Sequence, residues 1–578
     1  MTLLLMILTT LLIFICIKYK DYFWTKIYPV FKYIKIKLLN NKKAILFFTA
    51  IVFIAHGFLA FSILGEEEVR ITAPDEEHFI IAANDLFTRI MSKDQKSILD
   101  FGLAFGYGYI FWLICAVIVG PLKFIGFSAQ IFVGRLICLI FFSITLFFVY
   151  KIISLYQRKE LALLGAFSVL LLPPFAFFGK IFSVEYLSCS SIMCFLYYLL
   201  SDKGLFKKRF YFAVFILGIA IGLKLNAVFC LVSLPIYLIS YRQRNIKNML
   251  LILATMTICI IIGFLFSNFA IIFSDSARKI LTELIPRPLD FNTSMFKLAQ
   301  WYYIDSFTWD DIPLLGIHEG LGRRFGETIF TVYILIAIIT NIRQKNRLTA
   351  IFILLSVFFT FVFGIGTRCY FLHTWYMFPA FLVILITPFL ISFKNQNVNT
   401  ALILIFSTLL SISNIPKIAQ IYNHKLIQIK TIKKKKESTK LLESFFSNVE
   451  PGKVIVSTEA VLIGDRLSLG KKGLSHLIVY KDLETHYALY DFSPDFFKKY
   501  PDTEYIIYEK NTGILKEFSD YKLPSKYDWY FPTNHPARPE AKAHWKHLLT
   551  DGIAIDGVKY RFTPVFETET EIVYKKLE

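Results

Sequence analysis

The hydrophobic positions of this chain fall into long apolar runs, and these runs predict helices that cross a membrane. A helix needs about 20 apolar residues to cross the hydrocarbon core. Such runs, several of them shorter, lie at residues 2–17, 44–64, 129–153, 160–182, 186–201, 210–223, 226–242, 247–273, 326–341, 347–365, 371–393 and 399–414. The pattern predicts a polytopic α-helical membrane protein with about 12 transmembrane helices.

Basic clusters between the runs predict which helix ends face the cytoplasm. Lys and Arg are enriched in short cytoplasmic loops, and such clusters lie at residues 18–43, 158–159, 203–209, 242–247, 343–347 and 394. If the apolar segment 107–126 also crossed, several of these clusters would fall outside. We therefore expect this segment to lie at the outer membrane surface, as amphipathic or re-entrant helices broken around Gly120-Pro121. Three polar stretches then face outward: 65–106, 274–325 and 415–578.

The last polar stretch predicts a separate domain. Residues 415–446 are typical of a basic amphipathic helix, and short β-rich runs follow at 454–456, 477–480, 505–508, 560–562 and 572–574. We expect an N-terminal helix and basic cytoplasmic segment at 1–43. A transmembrane module follows at 44–414, with outer loops 65–128 and 274–325. An extracytoplasmic α/β domain completes the chain at 415–578.

The composition excludes an ordinary soluble protein. Hydrophobic residues make up 56% of the 578 residues and charged residues only 18%, whereas soluble domains average about 25% charged. A net charge of +20 would favour nucleic-acid binding in a soluble protein. Here the net charge is explained by the enrichment of Lys and Arg in cytoplasmic loops. No nucleic-acid motif accompanies the charge, so no nucleic-acid partner is expected. The eight cysteines show no metal-ligand spacing.

The first outer loop carries the most informative motif, the segment 73–78 (APDEEH), just beyond the 44–64 run. A carboxylate at the membrane surface can pair with a cation or act as a base on a hydroxyl. A solvated acidic loop explains the charges as well, since Glu66, Glu67 and Glu68 lie nearby. The motif by itself leaves both interpretations open.

A Pro-Asp-Glu motif in this position resembles the GT-C superfamily of polyprenyl-phosphate-sugar glycosyltransferases, of the family 39 type. This superfamily includes the protein O-mannosyltransferases and the lipid A aminoarabinose transferases. Further segments resemble the family in the same order: 107–126, 135–136, 178–186, 222–224 and 368–376. The resemblance covers residues 44–395, and it makes 44–414 a GT-C-like catalytic module.

The resemblance implies an enzyme that moves a sugar from a polyprenyl-phosphate carrier to an extracytoplasmic lipid, glycan or protein acceptor, with inversion. Asp75 corresponds to the catalytic carboxylate, supported by Glu76 and His78. Glu185 corresponds to a second acidic residue, where many members carry Asp, and this departure puts a metal-binding role for it in doubt. The resemblance makes no cofactor certain, and it leaves a divalent metal ion open. The implied location is a bacterial inner membrane, with the active site and the C-terminal domain outside.

The phosphate leaving group of such a reaction needs positive charge near the outer ends of the helices. The candidate ligands for the donor phosphate are Lys180, Lys224, Arg368 and His373. Snorkelling to lipid head groups is the alternative role for Arg368.

The second outer loop combines aromatic and acidic side chains that suit contacts with a sugar or an acceptor. These are Trp301, Tyr303, Asp305, Trp309 and Asp310. An aromatic belt at the membrane interface explains the Trp and Tyr residues nearly as well.

Two other functions fit parts of the pattern. An O-antigen polymerase- or ligase-like enzyme also has many spans and a large outer loop, but it relies on outer-loop Arg and His and does not need the Asp75-Glu76 motif. A non-enzymatic transporter of lipid-linked glycans would place charged residues near the bilayer midplane. The predicted spans carry almost no carboxylates.

Overall fold

The structure, a computed structural model, covers part of the chain. It describes residues 41–65, 74–93, 98–99, 108–171, 182–202, 206–240, 246–274, 332–344, 346, 349, 386–450, 454–457, 478–479, 503–509, 553–555, 558–569 and 571–577. The chain divides into two compact units, Met1–Leu64 with Asp75–Ile421 and Gly65–Pro74 with Tyr422–Glu578.

The first unit is helical in its described residues. Its α-helices are α1 Asn41–Phe61, α2 Pro74–Ser92, α3 Tyr109–Ile118, α4 Phe127–Ile153, α5 Lys159–Leu170, α6 Glu185–Asp202, α7 Lys208–Leu223, α8 Ser233–Ser240, α9 Ile246–Ser267, α10 Ala270–Phe273 and α11 Val332–Arg343. Three 3₁₀ helices lie at Gly120–Phe124, Leu225–Val232 and Thr387–Leu390. A long helix, α12, runs over Gln396–Phe446 and continues into the second unit.

Several of the described helices agree with the predicted spans. Three described segments are long and apolar enough to cross a membrane: Ala44–Phe61 in α1, Phe127–Ile153 in α4 and Asn248–Ser267 in α9. Helices α6 and α7 coincide with the predicted spans 186–201 and 210–223. The predicted spans 2–17 and 347–365, and most of 371–393, lie outside the described residues.

The predicted break around Gly120-Pro121 is confirmed. Helix α3 ends at Ile118, and a 3₁₀ helix with Pro121 in its first turn follows before α4 begins at Phe127. Proline fixes its own φ and has no N–H to donate, so it can begin a helix but not continue one. The two pieces are too short to span a bilayer singly.

Three predicted boundaries differ from the structure. Helix α5 ends at Leu170 instead of reaching residue 182. Pro173 and Pro174 follow shortly after it, and helices usually end before the residue preceding a proline. The predicted span 226–242 is a 3₁₀ helix followed by the short α8. The predicted division at residues 414 and 415 falls inside α12, because passing from an apolar to a basic stretch does not interrupt the hydrogen bonds of a helix.

Helix α4 is central in the first unit, since it packs against α1, α5 and α6. Helix α7 packs against α6 and α9. At the crossing of α7 with α9, Gly218 and Gly263 face each other so closely that a Cβ on Gly218 would collide with the carbonyl oxygen of Ile260. Small residues allow two membrane helices to approach backbone to backbone.

The second unit contains a five-stranded sheet in the order β2-β1-β3-β7-β6. Its strands are β1 Val454–Ser457, β2 Ile478–Val479, β3 Thr503–Glu509, β6 Phe562–Glu567 and β7 Glu571–Lys576, and a hairpin of β4 Ile553–Ile555 with β5 Val558–Tyr560 lies apart from the sheet. The pairs β1–β2 and β1–β3 are parallel, and β3–β7 and β6–β7 are antiparallel. The predicted β-rich runs 454–456, 505–508 and 572–574 lie in β1, β3 and β7, residues 478–479 of the run 477–480 form β2, and the run 560–562 contains the end of β5 and the start of β6.

The end of α12 covers this sheet. Leu442 and Phe446 form a buried cluster with Tyr505, Ile507 and Val573 of strands β3 and β7. This apolar contact gives the last turns of the long helix their packing surface.

The close crossing of α7 and α9 leads to a prediction about the stability of the protein. Replacing Gly218→Ala places a methyl group against the backbone of α9, and we expect the free energy of unfolding to fall by about 1–3 kcal/mol. The measurement is the thermal unfolding of the full-length protein in detergent.

Gly57→Ala in α1 is the matched control. A Cβ at Gly57 would meet its nearest neighbour, Phe61, at an ordinary 3.9 Å, so this helical alanine should raise stability by up to about 1 kcal/mol. Equal unfolding temperatures for the two variants would contradict the close helix crossing.

Candidate active site

The Pro-Asp-Glu motif forms the first turn of α2. Pro74 is the first residue of this helix, a position where its fixed φ is favourable and its missing N–H is not needed. Asp75, Glu76 and His78 therefore share one turn, at the helix end where negative charge is stabilised by the peptide dipoles. The side chains of Asp75 and His78 lie outside the described part of the structure.

Glu76 is fully buried and is held by three hydrogen bonds. Arg135 of α4 donates from Nε to Oε1 at 2.9 Å and from Nη2 to Oε2 at 2.5 Å. The backbone N–H of Phe182 donates to Oε1 at 2.6 Å. The side chain of Glu76 has 0% of its surface exposed and that of Arg135 has 2%. A bidentate pair with this burial fixes both side chains in one geometry.

The same arginine also binds the end of α1. Its Nη1 donates to the carbonyl oxygens of Ala60 at 2.5 Å and Ile63 at 2.8 Å. The last carbonyls of a helix have no partner within it and carry partial negative charge, so a cation there is favourable. Arg135 therefore joins the end of α1 to the start of α2 from within α4.

A second buried ion pair lies at the start of α6. The Nζ of Lys224, the residue that follows α7, is paired with Oε1 of Glu185, the first residue of α6. Both side chains are buried. The other carboxylate oxygen, Oε2, has no hydrogen-bond donor among the described residues.

The short segment 182–185 connects the two ion pairs. Its first residue, Phe182, donates its N–H to Glu76, and its last residue, Glu185, is paired with Lys224. Between them the N–H of Ser183 lies 3.3 Å from the Sγ of Cys138 on α4. One short backbone segment, residues 182–185, thus connects the two ion pairs.

Asn268 fixes the part of the backbone from which Lys224 projects. Its Nδ2 donates to the carbonyl oxygen of Gly222 at 2.6 Å, and its Oδ1 accepts the N–H of Tyr109 at 3.1 Å. One buried amide therefore caps the end of α7 and the start of α3 together. The contact also requires Gly108, which has φ of 73° and whose Cβ would meet the carbonyl oxygen of Gly222 at 2.8 Å.

The structure thus brings together Glu76, Glu185 and Lys224 among the side chains predicted for the site. The other predicted site residues, Lys180, Trp301, Tyr303, Asp305, Trp309, Asp310, Arg368 and His373, lie outside the described residues. Within the described residues no group of three or more His, Cys, Asp and Glu side chains could hold a metal ion.

Sequence reasoning missed the roles of Arg135 and Asn268. In the sequence Arg135 belongs to a segment that resembles the family, although an arginine inside an apolar run is a functional candidate by itself. Asn268 lies inside the predicted span 247–273, and an uncharged amide there is a weaker signal than an arginine.

Comparison with known proteins gives one family match. Residues 105–267 match the model of the family described as dolichyl-phosphate-mannose-protein mannosyltransferase. This stretch contains α3, α4, α6, α7 and α9, and thus Arg135, Glu185 and Lys224. A search of curated proteins gives no match.

One solved structure with a similar chain is the crystal structure of ArnT from Cupriavidus metallidurans in the apo state. The alignment covers 92% of this chain and 97% of that chain, with 10% sequence identity and a TM-score of 0.44. A match with this sequence identity and this TM-score gives no argument for the function of the chain. With its apolar helices and its family match, the chain is a multi-pass membrane protein. Residues 105–267 match this mannosyltransferase family, so the predicted resemblance to polyprenyl-phosphate-sugar glycosyltransferases is confirmed over that part of the chain.

Proposed function

We propose that this protein is an inverting membrane glycosyltransferase in which Asp75 is the catalytic carboxylate. It moves a sugar from a polyprenyl-phosphate carrier to a lipid, glycan or protein acceptor on the outer side of a bacterial inner membrane. The family match over residues 105–267 supports the reaction class. The arrangement of buried charges around the first turn of α2 supports Asp75 as the catalytic carboxylate.

The observation that carries the proposal is the buried pair of Glu76 with Arg135. Glu76 is next to Asp75 in the chain, and its three hydrogen bonds hold the first turn of α2 against α4 and residue 182. Consecutive Cα atoms are about 3.8 Å apart, so fixing Glu76 fixes the backbone of Asp75 as well. A catalytic group needs such support, because small displacements of a reacting group cost much of the rate.

The proposed reaction is a single displacement at the anomeric carbon. The acceptor oxygen or nitrogen attacks this carbon from the face opposite the phosphate, and its proton passes to the Asp75 carboxylate. The new bond forms as the bond between the anomeric carbon and the phosphate oxygen breaks. The electron pair of the broken bond leaves with the phosphate, so the products are the inverted glycoside and the polyprenyl phosphate.

The departing phosphate requires cations that are in place before the reaction. We assign this role to Lys180, Arg368 and His373, whereas the ammonium of Lys224, the fourth candidate, is paired with Glu185. His78 supports Asp75, and the aromatic and acidic residues of the second outer loop contact the sugar or the acceptor.

Replacing Asp75→Asn tests the proposed base. We expect transfer to fall by about 10²–10⁴-fold, because the amide cannot accept the acceptor's proton. The assay follows labelled sugar from a polyprenyl-phosphate donor in membranes that contain the full-length protein. Membranes from a deletion strain supply the acceptors.

Asp85→Asn is the matched control, since Asp85 lies on the same helix and makes an exposed pair with Arg89. We expect it to retain transfer. Undiminished transfer by Asp75→Asn, with normal amounts of protein in the membrane, would refute the proposed mechanism.

A second prediction distinguishes two roles of the pair of Glu76 with Arg135: positioning Asp75 and stabilising the fold. Arg135→Met leaves the Glu76 carboxylate buried without a cation, and we expect about 3–5 kcal/mol of destabilisation. The double variant Glu76→Gln/Arg135→Met removes both charges and should recover most of this stability. Its transfer should stay about tenfold or more below the native level, because the first turn of α2 is no longer held by the bidentate pair. Full transfer by a stable double variant would show that the pair has no positioning role.

A further inference from the structure

The pairing of Glu185 with Lys224 determines which cation serves the second acidic position. Glu185 is the residue at which the family resemblance leaves a metal ion open. In this structure Lys224 contacts one oxygen of its carboxylate, and both side chains are buried. The ammonium group of Lys224 therefore occupies the position beside the Glu185 carboxylate that a bound metal ion would occupy.

The side chains at this position do not fit a divalent metal ion. Mg²⁺ and Ca²⁺ take at least six oxygen ligands, usually with more than one carboxylate among the protein groups or a bound phosphate. Among the described residues no group of three or more acidic, histidine and cysteine side chains that could hold a metal ion includes Glu185. The neighbouring Glu76 is already committed to Arg135 and Phe182.

The charge balance leads to the same conclusion. The carboxylate of Glu185 and the ammonium of Lys224 sum to zero, as do Glu76 and Arg135. Beside these two neutral pairs, a divalent ion would need additional negative charge to compensate it, and uncompensated buried charge is costly. The remaining oxygen of Glu185 is therefore better suited to a neutral donor than to a metal ion.

The backbone holds Lys224 in this position. The N–H of Lys224 donates to the carbonyl oxygen of Ala220 at 3.0 Å, and Asn268 binds Gly222 two residues earlier. The ammonium is therefore presented from the rigid end of α7 and does not come from a long flexible loop.

We propose that Lys224 is the resident counter-cation of Glu185, so that the second acidic position works without a divalent metal ion. In this arrangement Lys224 is a positioning residue. It fixes Glu185, which ends the segment whose other end binds Glu76 through the N–H of Phe182. The inference deepens the proposed function, and its catalytic part rests on that function.

The test compares unfolding temperatures of the purified full-length protein in detergent, in excess EDTA and in millimolar Mn²⁺ or Mg²⁺. We expect the Tm of Lys224→Met to fall by several degrees, because the Glu185 carboxylate is left buried and unpaired. Adding Glu185→Gln to this variant should restore most of the loss. Lys123→Met, at a partly exposed lysine, is the matched control and should leave the Tm nearly unchanged.

Two results would overturn the inference. One is a double variant Glu185→Gln/Lys224→Met that is no more stable than Lys224→Met. The other is a rise in the Tm of the native protein with Mn²⁺ or Mg²⁺ that disappears in Glu185→Gln. A rise that persists in Glu185→Gln would locate a metal ion elsewhere and would support a metal-free Glu185.

The transfer assay separates this inference from the proposed function. Native transfer that is equal in EDTA and in Mn²⁺ is the expected result, and transfer that requires Glu185 together with a metal ion would contradict the inference. Absence of transfer under every condition would count against the proposed function, whereas the Tm comparison would still decide the role of Lys224.

Discussion

The bidentate pair of Arg135 with the fully buried Glu76 is the interaction on which the rest of the site depends. It joins the end of α1, the first turn of α2, the middle of the helical unit at α4 and the backbone at Phe182. A buried charge without its partner is strongly unfavourable, so these four parts must come together for either charge to be accommodated. The pair makes their mutual arrangement specific, whereas apolar packing alone tolerates many arrangements.

Neutral pairing is the common electrostatic feature of this region. The charge of Glu76 is balanced by Arg135 and that of Glu185 by Lys224. Residues of the segment 182–185 take part in both interactions. A low-dielectric interior strengthens each attraction but penalises any surplus charge. This constraint supports Lys224 as the counter-cation of Glu185.

Close packing of the backbone gives these pairs their geometry. Gly218 and Gly263 let α7 and α9 touch, Gly108 lets the start of α3 reach the end of α7, and Gly222 leaves room for Ser267 and Asn268 at the same helix end. Asn268 then satisfies a donor and an acceptor that these helix ends leave unpaired. Lys224 projects from this junction, so its position follows from backbone contacts several residues away.

The sequence by itself determined the class of protein, most helix positions in the described residues and the break around Gly120-Pro121. These follow from local rules: apolar length and proline geometry act within one segment. The end of α5 was also decided locally, by Pro173 and Pro174, although the apolar pattern predicted a longer span. Only the tertiary structure decided that Glu76 pairs with Arg135, 59 residues away, that Glu185 pairs with Lys224, and that Asn268 joins two helix ends. These partners come from separate helices or helix ends, and the choice among several available charges is made by helix packing, which no local pattern in the sequence encodes.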